Sequence, residues 1–251
     1  MKKSWIICLS IILTLIIGVI GSSKLFLDWI RIEVIKLQTS ATEYPWAPQI
    51  PLKLELERKK GLGRGIDALG ISLDVPWTDM RLTEEKNNTY VFQSENFQIS
   101  IAQEGHLLVQ DFINDMIGAK KAQQFYSYLT QNYDKKVICS LYEFDKIVLN
   151  ITQENLIGIH QKKKIDMLYM LLILKCQLIP VSAQTGMYHF ENDLIRGFRF
   201  GTEDTIILWV YNSQGEKYRI DISRRPHSNI RITKSILEEV NRILPTIKFI
   251  N

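Results

Sequence analysis

The groups in this 251-residue chain that could bind a metal or move a proton are four histidines, three cysteines and scattered carboxylates. His106, His160, His189 and His227 include no pair at ligand spacing, and a zinc site would need a compact set such as His-Glu-x-x-His or two close cysteine pairs. Asp111 and Asp115 fall one helical turn apart beside Asn114 and could share a cation, although carboxylates in a first turn are equally explained by the helix dipole. His106 precedes Asp111 and invites an acid–base pairing, but a lone histidine ahead of a helix also serves as a turn or capping residue. No Gly-x-Ser-x-Gly elbow is present, and neither Cys139 nor Cys176 has a neighbouring histidine to hold a thiolate. The run Gly61-Leu-Gly-Arg-Gly65 lacks the Gly-Lys-Ser/Thr ending of a phosphate loop. Accordingly no catalytic residue, cofactor-binding residue or metal ligand is assigned, and the chain is read as a binding protein before it is read as an enzyme.

Binding chemistry is more visible in the basic residues. Lys217 and Arg219 alternate on one face of an expected strand, and the run continues to Arg224 and Arg225 ahead of Pro226. These four are the candidate partner surface; the competing reading is that they solubilise an outer sheet edge and discourage edge-to-edge pairing. The net charge of +4 is mild and points to no nucleic-acid partner. Three cysteines give no disulfide framework; Cys8 lies in the first apolar run, and pairing of Cys139 with Cys176 is left open. The tripeptides at Asn87 and Asn150 match glycosylation sequons, which matter only in a glycosylating pathway.

What would hold such a surface in place starts at the N-terminus. Lys2 and Lys3 precede an uncharged run from Ser4 to Ser23, long enough to cross a bilayer as one helix. Trp5 and Trp29 suit the two water–lipid boundaries, and Lys24 marks the far flank. The run is at the long end for a cleaved signal and no Ala-x-Ala follows it, so an uncleaved signal-anchor is expected, with a cleaved signal as the alternative. Positive charges on the two sides nearly balance. The four-residue tail stays inside easily, which places the N-terminus in the cytoplasm and the C-terminal domain outside. The expected partners are the lipid bilayer, through this helix, and an unidentified protein of the same envelope.

The expected divisions are a tail (residues 1–4), a transmembrane signal-anchor (5–23), a juxtamembrane helix and proline-containing stalk (24–66) and one globular domain (67–251). Pro45, Pro48 and Pro51 support the stalk. Ile71, Leu73 and Val75 alternate as a half-buried strand, and residues 90–92 and 97–101 form a hairpin around Ser94-Glu-Asn96. Apolar steps of three and four from Leu108 to Tyr133 predict an amphipathic helix, with Gly118 as a point of interruption. Ser140 and Glu143 read as a capping box. A further apolar helix spans 166–178, four strands lie within 187–222, and a closing helix spans 233–244. Strands grouped apart from helices predict an α+β domain: an antiparallel sheet of about seven strands packed with three or four helices. Function is expected to be non-catalytic binding by a membrane-anchored extracytoplasmic domain, the alternative being a ligand sensor or hydrolytic envelope enzyme with a dispersed site.

Overall fold

Strict alternation of apolar side chains builds the centre of the molecule. In Thr205–Tyr211, Ile206, Leu208 and Val210 join one apolar core while Ile207, Trp209 and Tyr211 join another, so this strand is buried on both faces. The computed structural model describes residues 26–27, 29–30, 33–34, 48–56, 63–104, 109–134, 140–156, 159, 161–179, 186–202, 204–225 and 234–250. Eleven strands run β1 (Leu52–Lys53), β2 (Arg64–Ala68), β3 (Ile71–Val75), β4 (Arg81–Lys86), β5 (Thr89–Gln93), β6 (Phe97–Gln103), β7 (Tyr188–Glu191), β8 (Arg196–Gly201), β9 (Thr205–Tyr211), β10 (Lys217–Arg224) and β11 (Lys248–Phe249). Five helices accompany them: α1 (Val109–Ile117), α2 (Ala119–Asn132), α3 (Leu141–Asn150), α4 (Lys162–Leu178) and α5 (Lys234–Ile243).

Eight strands form one sheet in the order β1-β7-β8-β9-β10-β6-β5-β4, and β11-β3-β2 form a second. One face of the large sheet shares a core with the small sheet and α5, through Ile71, Leu73, Ile99, Leu208, Ile220, Val240 and their neighbours. On the other face, Phe198, Phe200, Trp209 and Tyr211 pack with Tyr142 and Leu149 of α3. Behind that contact α1 to α4 hold a helical core around Phe125, Leu129, Phe144, Leu168 and Leu171. The architecture is therefore α+β, as expected from the grouping of elements.

Four features differ from the expectation, the first being five helices among the described residues where three or four were expected, because Gly118 divides one expected helix into α1 and α2. The sheet is mixed rather than antiparallel, because β1 pairs with β7 in parallel, with Leu52 N donating to Met187 O at 2.9 Å. Most of the domain lies between those two strands in sequence, so no tight hairpin fixes their direction. Strands outnumber the expected seven. The added ones are the two-residue β1 and β11, the wholly exposed β4, which has no buried face to read, and β2, which emerges from the glycine-rich tract. Residues assigned to the stalk also join the body: β2 pairs with β3 along its whole length, and Leu54 and Leu56 pack on the main core.

Two expected local devices are present, the second in part. Gly118, at φ 78, separates α1 from α2, and of the expected capping box the Ser140 half is present, its Oγ accepting from Glu143 N at 3.4 Å, while the Glu143 carboxylate lies 3.7 Å from Arg196 Nη1. Among the described residues no helix is long and apolar enough to cross a membrane. The expected span at 5–23, with Lys2, Lys3, Trp5 and Lys24, lies outside them.

Candidate functional site

Antiparallel pairing puts four functional side chains together at the seam between the sheet and the helical lobe. Register sets Lys217 opposite Tyr211 and Arg219 opposite Trp209 across β9 and β10. Beyond β6, Glu104 N donates to Lys217 O at 2.9 Å, which extends the ladder by one rung and aligns the Glu104 side chain with this group. Helix α3, fixed at its start by Ser140, lays Tyr142 against Phe198 (ring centroids 5.5 Å) and Tyr211 (5.4 Å). One turn on, the same face delivers Asp145 to the sheet.

The result is a buried ionic cluster. Lys217 Nζ lies 3.2 Å from Glu104 Oε2, 3.2 Å from Asp145 Oδ2 and 3.6 Å from the centre of the Trp209 ring. Tyr211, fully buried, donates its hydroxyl to the same Asp145 Oδ2. Asp145 is 2% exposed and Lys217 6%, so both charges have left water, a cost recovered only through close mutual partners. Burial first, then the Asp145 carboxylate, pushes the Tyr211 hydroxyl well above its ordinary range, so it stays a proton donor.

The cluster floors a cavity of about 200 Å³. Glu104, Asp145, Lys217, Arg219 and Gln177 supply its polar wall; Leu141, Leu178 and Trp209 supply the apolar one. Arg219 stands there with its Nε bonded to both Asp221 oxygens at 2.9 and 3.0 Å, a contact that raises its already high pKa. A second, more open cavity of about 310 Å³ lies past the end of β9, against Glu191, Asp193, Arg196 and Asn212.

Of the four basic residues singled out in the sequence, the structure brings Lys217 and Arg219 to the cavity and leaves the other two elsewhere. Arg224, five residues or roughly 17 Å along the strand from Arg219, pairs with Asp204 at 2.7 Å. Arg225 Nη1 donates to Ser94 O at 3.3 Å. Asp111 and Asp115 are exposed on α1, and Asn114 accepts from the Tyr126 hydroxyl at 3.5 Å. Among the described residues no group of three His, Cys, Asp or Glu side chains could hold a metal ion. His189 Nδ1 lies 3.3 Å from Pro51 O, while His106, His160, His227 and Cys139 fall outside the described residues. Cys176 is half-buried, its thiol pushed up to about 11 by that burial. Both sequon asparagines, Asn87 and Asn150, are exposed.

Sequence reasoning passed over Glu104, Asp145 and Tyr211. Asp145 had a signal: it sits three residues from Tyr142 and from Val148, on the apolar stripe of α3, where a carboxylate is out of place without a partner. No protein-family model matches the chain, and no curated protein matches it in sequence.

Proposed function

We propose that this chain is a membrane-anchored extracytoplasmic domain of non-catalytic binding type, and that its ligand or partner engages the cavity above Lys217. The observation that carries this reading is the buried cluster itself. A domain gains little stability by burying two charges, Asp145 and Lys217, where apolar packing would serve, so the cluster is better explained by recognition at a preorganised polar floor. The Lys217 ammonium faces two carboxylates and an aromatic face, and the Tyr211 hydroxyl, held well above its ordinary range by burial and by Asp145, retains its proton.

The anchored placement rests on the uncharged run before Lys24 and on the helical stretch just beyond it. Phe26, Leu27 and Trp29 are helical, and each is 58% exposed or more, with the Phe26 and Trp29 rings stacked at 6.0 Å. An apolar helix surface of that kind, directly after a hydrophobic run, suits the bilayer boundary. Tethering then raises the effective concentration of a domain toward partners in the same envelope.

Both halves are open to test in cells. Full-length protein is expected to stay in membranes through alkaline carbonate washing, and external protease is expected to digest the domain in intact cells or protoplasts. Release of a product beginning near Ser22, or protection until lysis, would contradict the placement. A photo-crosslinking residue at Gln177, on the cavity rim, is expected to yield adducts that the same residue at Lys86 on β4 does not. Equal adducts, or adducts at Lys86 alone, would remove the cavity from the function.

A further inference from the structure

We infer that the cavity takes a small organic monocation, a primary ammonium carried on a short apolar body. The inference rests on the proposal that this cavity is the binding site, and adds the chemical class of the ligand.

Charge decides the class. Two carboxylates, Glu104 and Asp145, converge on one ammonium, Lys217, so the floor keeps one uncompensated negative charge. Arg219 also feels Glu104, but its Nε is bonded to Asp221, so Glu104, Asp145 and Asp221 against Lys217 and Arg219 still keep one net negative charge. The remaining acceptors are aimed usefully. Both partners of Asp145 contact Oδ2, and the Lys217 contact on Glu104 falls on Oε2, which leaves Oδ1 and Oε1 as acceptors for a ligand. Asp145 is itself part of the cavity wall although it is 2% exposed. An anion would meet that same negative floor, and a neutral ligand would leave its charge unpaired. A cation has the complementary charge. Lys217 shows the geometry that such a group adopts here, an ammonium between carboxylates and over an indole face. Leu141, Leu178 and Trp209 then receive the carbon body, for which about 200 Å³ leaves room for a chain such as n-butyl.

Saturation-transfer NMR on the full chain in non-ionic detergent tests this with three probes of one shape: n-butylammonium, n-butanol and butyrate. Butylammonium is expected to show saturable transfer that Gln177→Trp blocks. Glu104→Gln, at a part-exposed site, is expected to weaken it about tenfold or more, the loss of one hydrogen bond to a charged group. Chemical rescue gives a second readout that does not depend on binding to the intact cluster. In Lys217→Ala the internal ammonium is gone, and butylammonium is expected to raise Tm of that variant more than it raises Tm of the wild type, while butanol does not. Stronger transfer to butyrate or butanol, blocked by Gln177→Trp, would overturn the cationic class and leave the cavity as a binding site. Transfer from none of the three, or transfer insensitive to Gln177→Trp, together with no rescue, would overturn the inference; the Gln177 crosslinks then decide separately whether the cavity binds at all.

Discussion

Lys175 shows how one side chain can give the stability of this domain a pH signature. It is 0% exposed in the last turns of α4, and its ammonium donates to Gln49 O at 2.5 Å and Ile151 O at 2.8 Å. Burial lowers its pKa from 10.5 to about 8. The folded state therefore releases this proton before the unfolded state does, and stability rises with pH between those two values by up to about 3 kcal/mol. Cys176 works the other way: burial raises its thiol from 9.0 to about 11, so above pH 9 the unfolded chain loses a proton that the folded chain keeps. Tyr128, raised by burial to about 12, adds to that opposing effect above pH 10. Thermal melts are expected to show Tm rising from about pH 7.5 to 9 and then flattening or falling. In Lys175→Met the rise is expected to vanish. A wild-type Tm flat across that range would contradict the assignment. None of this was legible in the sequence, where Lys175 reads as an ordinary charge on an apolar helix; the carbonyls its ammonium meets belong to Gln49 and Ile151, both distant in the chain. Lys217 and Arg219 were legible as a pair because alternation alone puts them on one face. Their carboxylate partners come from β6 and α3, and no local pattern announces such meetings.

Two glycines separate what an element tolerates from what the packing forbids. Gly118 breaks the helical pattern at φ 78, and a Cβ there would meet nothing within 4 Å. Gly118→Ala is therefore expected to cost only the backbone strain of φ 78 and ψ 145, a region essentially reserved for glycine, about 1–3 kcal/mol. Gly197 in β8 is different: a Cβ would lie 2.0 Å from Trp209 O and 2.6 Å from the Phe190 ring. The first contact is backbone of the neighbouring strand, which cannot move without opening the β8–β9 ladder beneath the cavity. Gly197→Ala is expected to cost several kcal/mol or to prevent folding, by the overpacking argument. Urea titration of the two variants checks the contrast, and equal losses would refute it. The elements with apolar periodicity, β3, β6, β9, α2 and α5, could be read directly from the sequence because burial imposes their period. β4, exposed at all six positions, could not, since its place in the sheet is set by hydrogen bonds to β5 alone.

At the scale of the whole molecule, the boundary between tether and body decides how the domain is held. Composition puts that boundary near Asp67, because prolines and a basic glycine-rich tract precede it. The structure carries the body further toward the N-terminus. Gln49 reaches Lys175, β1 adds a parallel strand to β7, Leu54 and Leu56 pack on the main core, and Ile66 and Ala68 are buried in β2. Ile66 alone, at 4% exposure, is worth about 2 kcal/mol of apolar burial. A chain beginning at Asp67 would also leave one edge of β3 unpaired along three residues, Leu73 to Val75, and remove one of the two carbonyls that accept from the buried Lys175 ammonium. A chain spanning residues 48–251 is expected to be soluble and to unfold cooperatively. One spanning 67–251 is expected to lose at least several kcal/mol, to aggregate, or to melt without a cooperative transition. Equal Tm values for the two would show that the arm is a passive stalk after all. The expected difference has a mechanical reading, because force applied from the N-terminal side would reach β1 and the Gln49 contact first. The two-residue ladder and one buried ammonium would then yield before the eight-stranded sheet does.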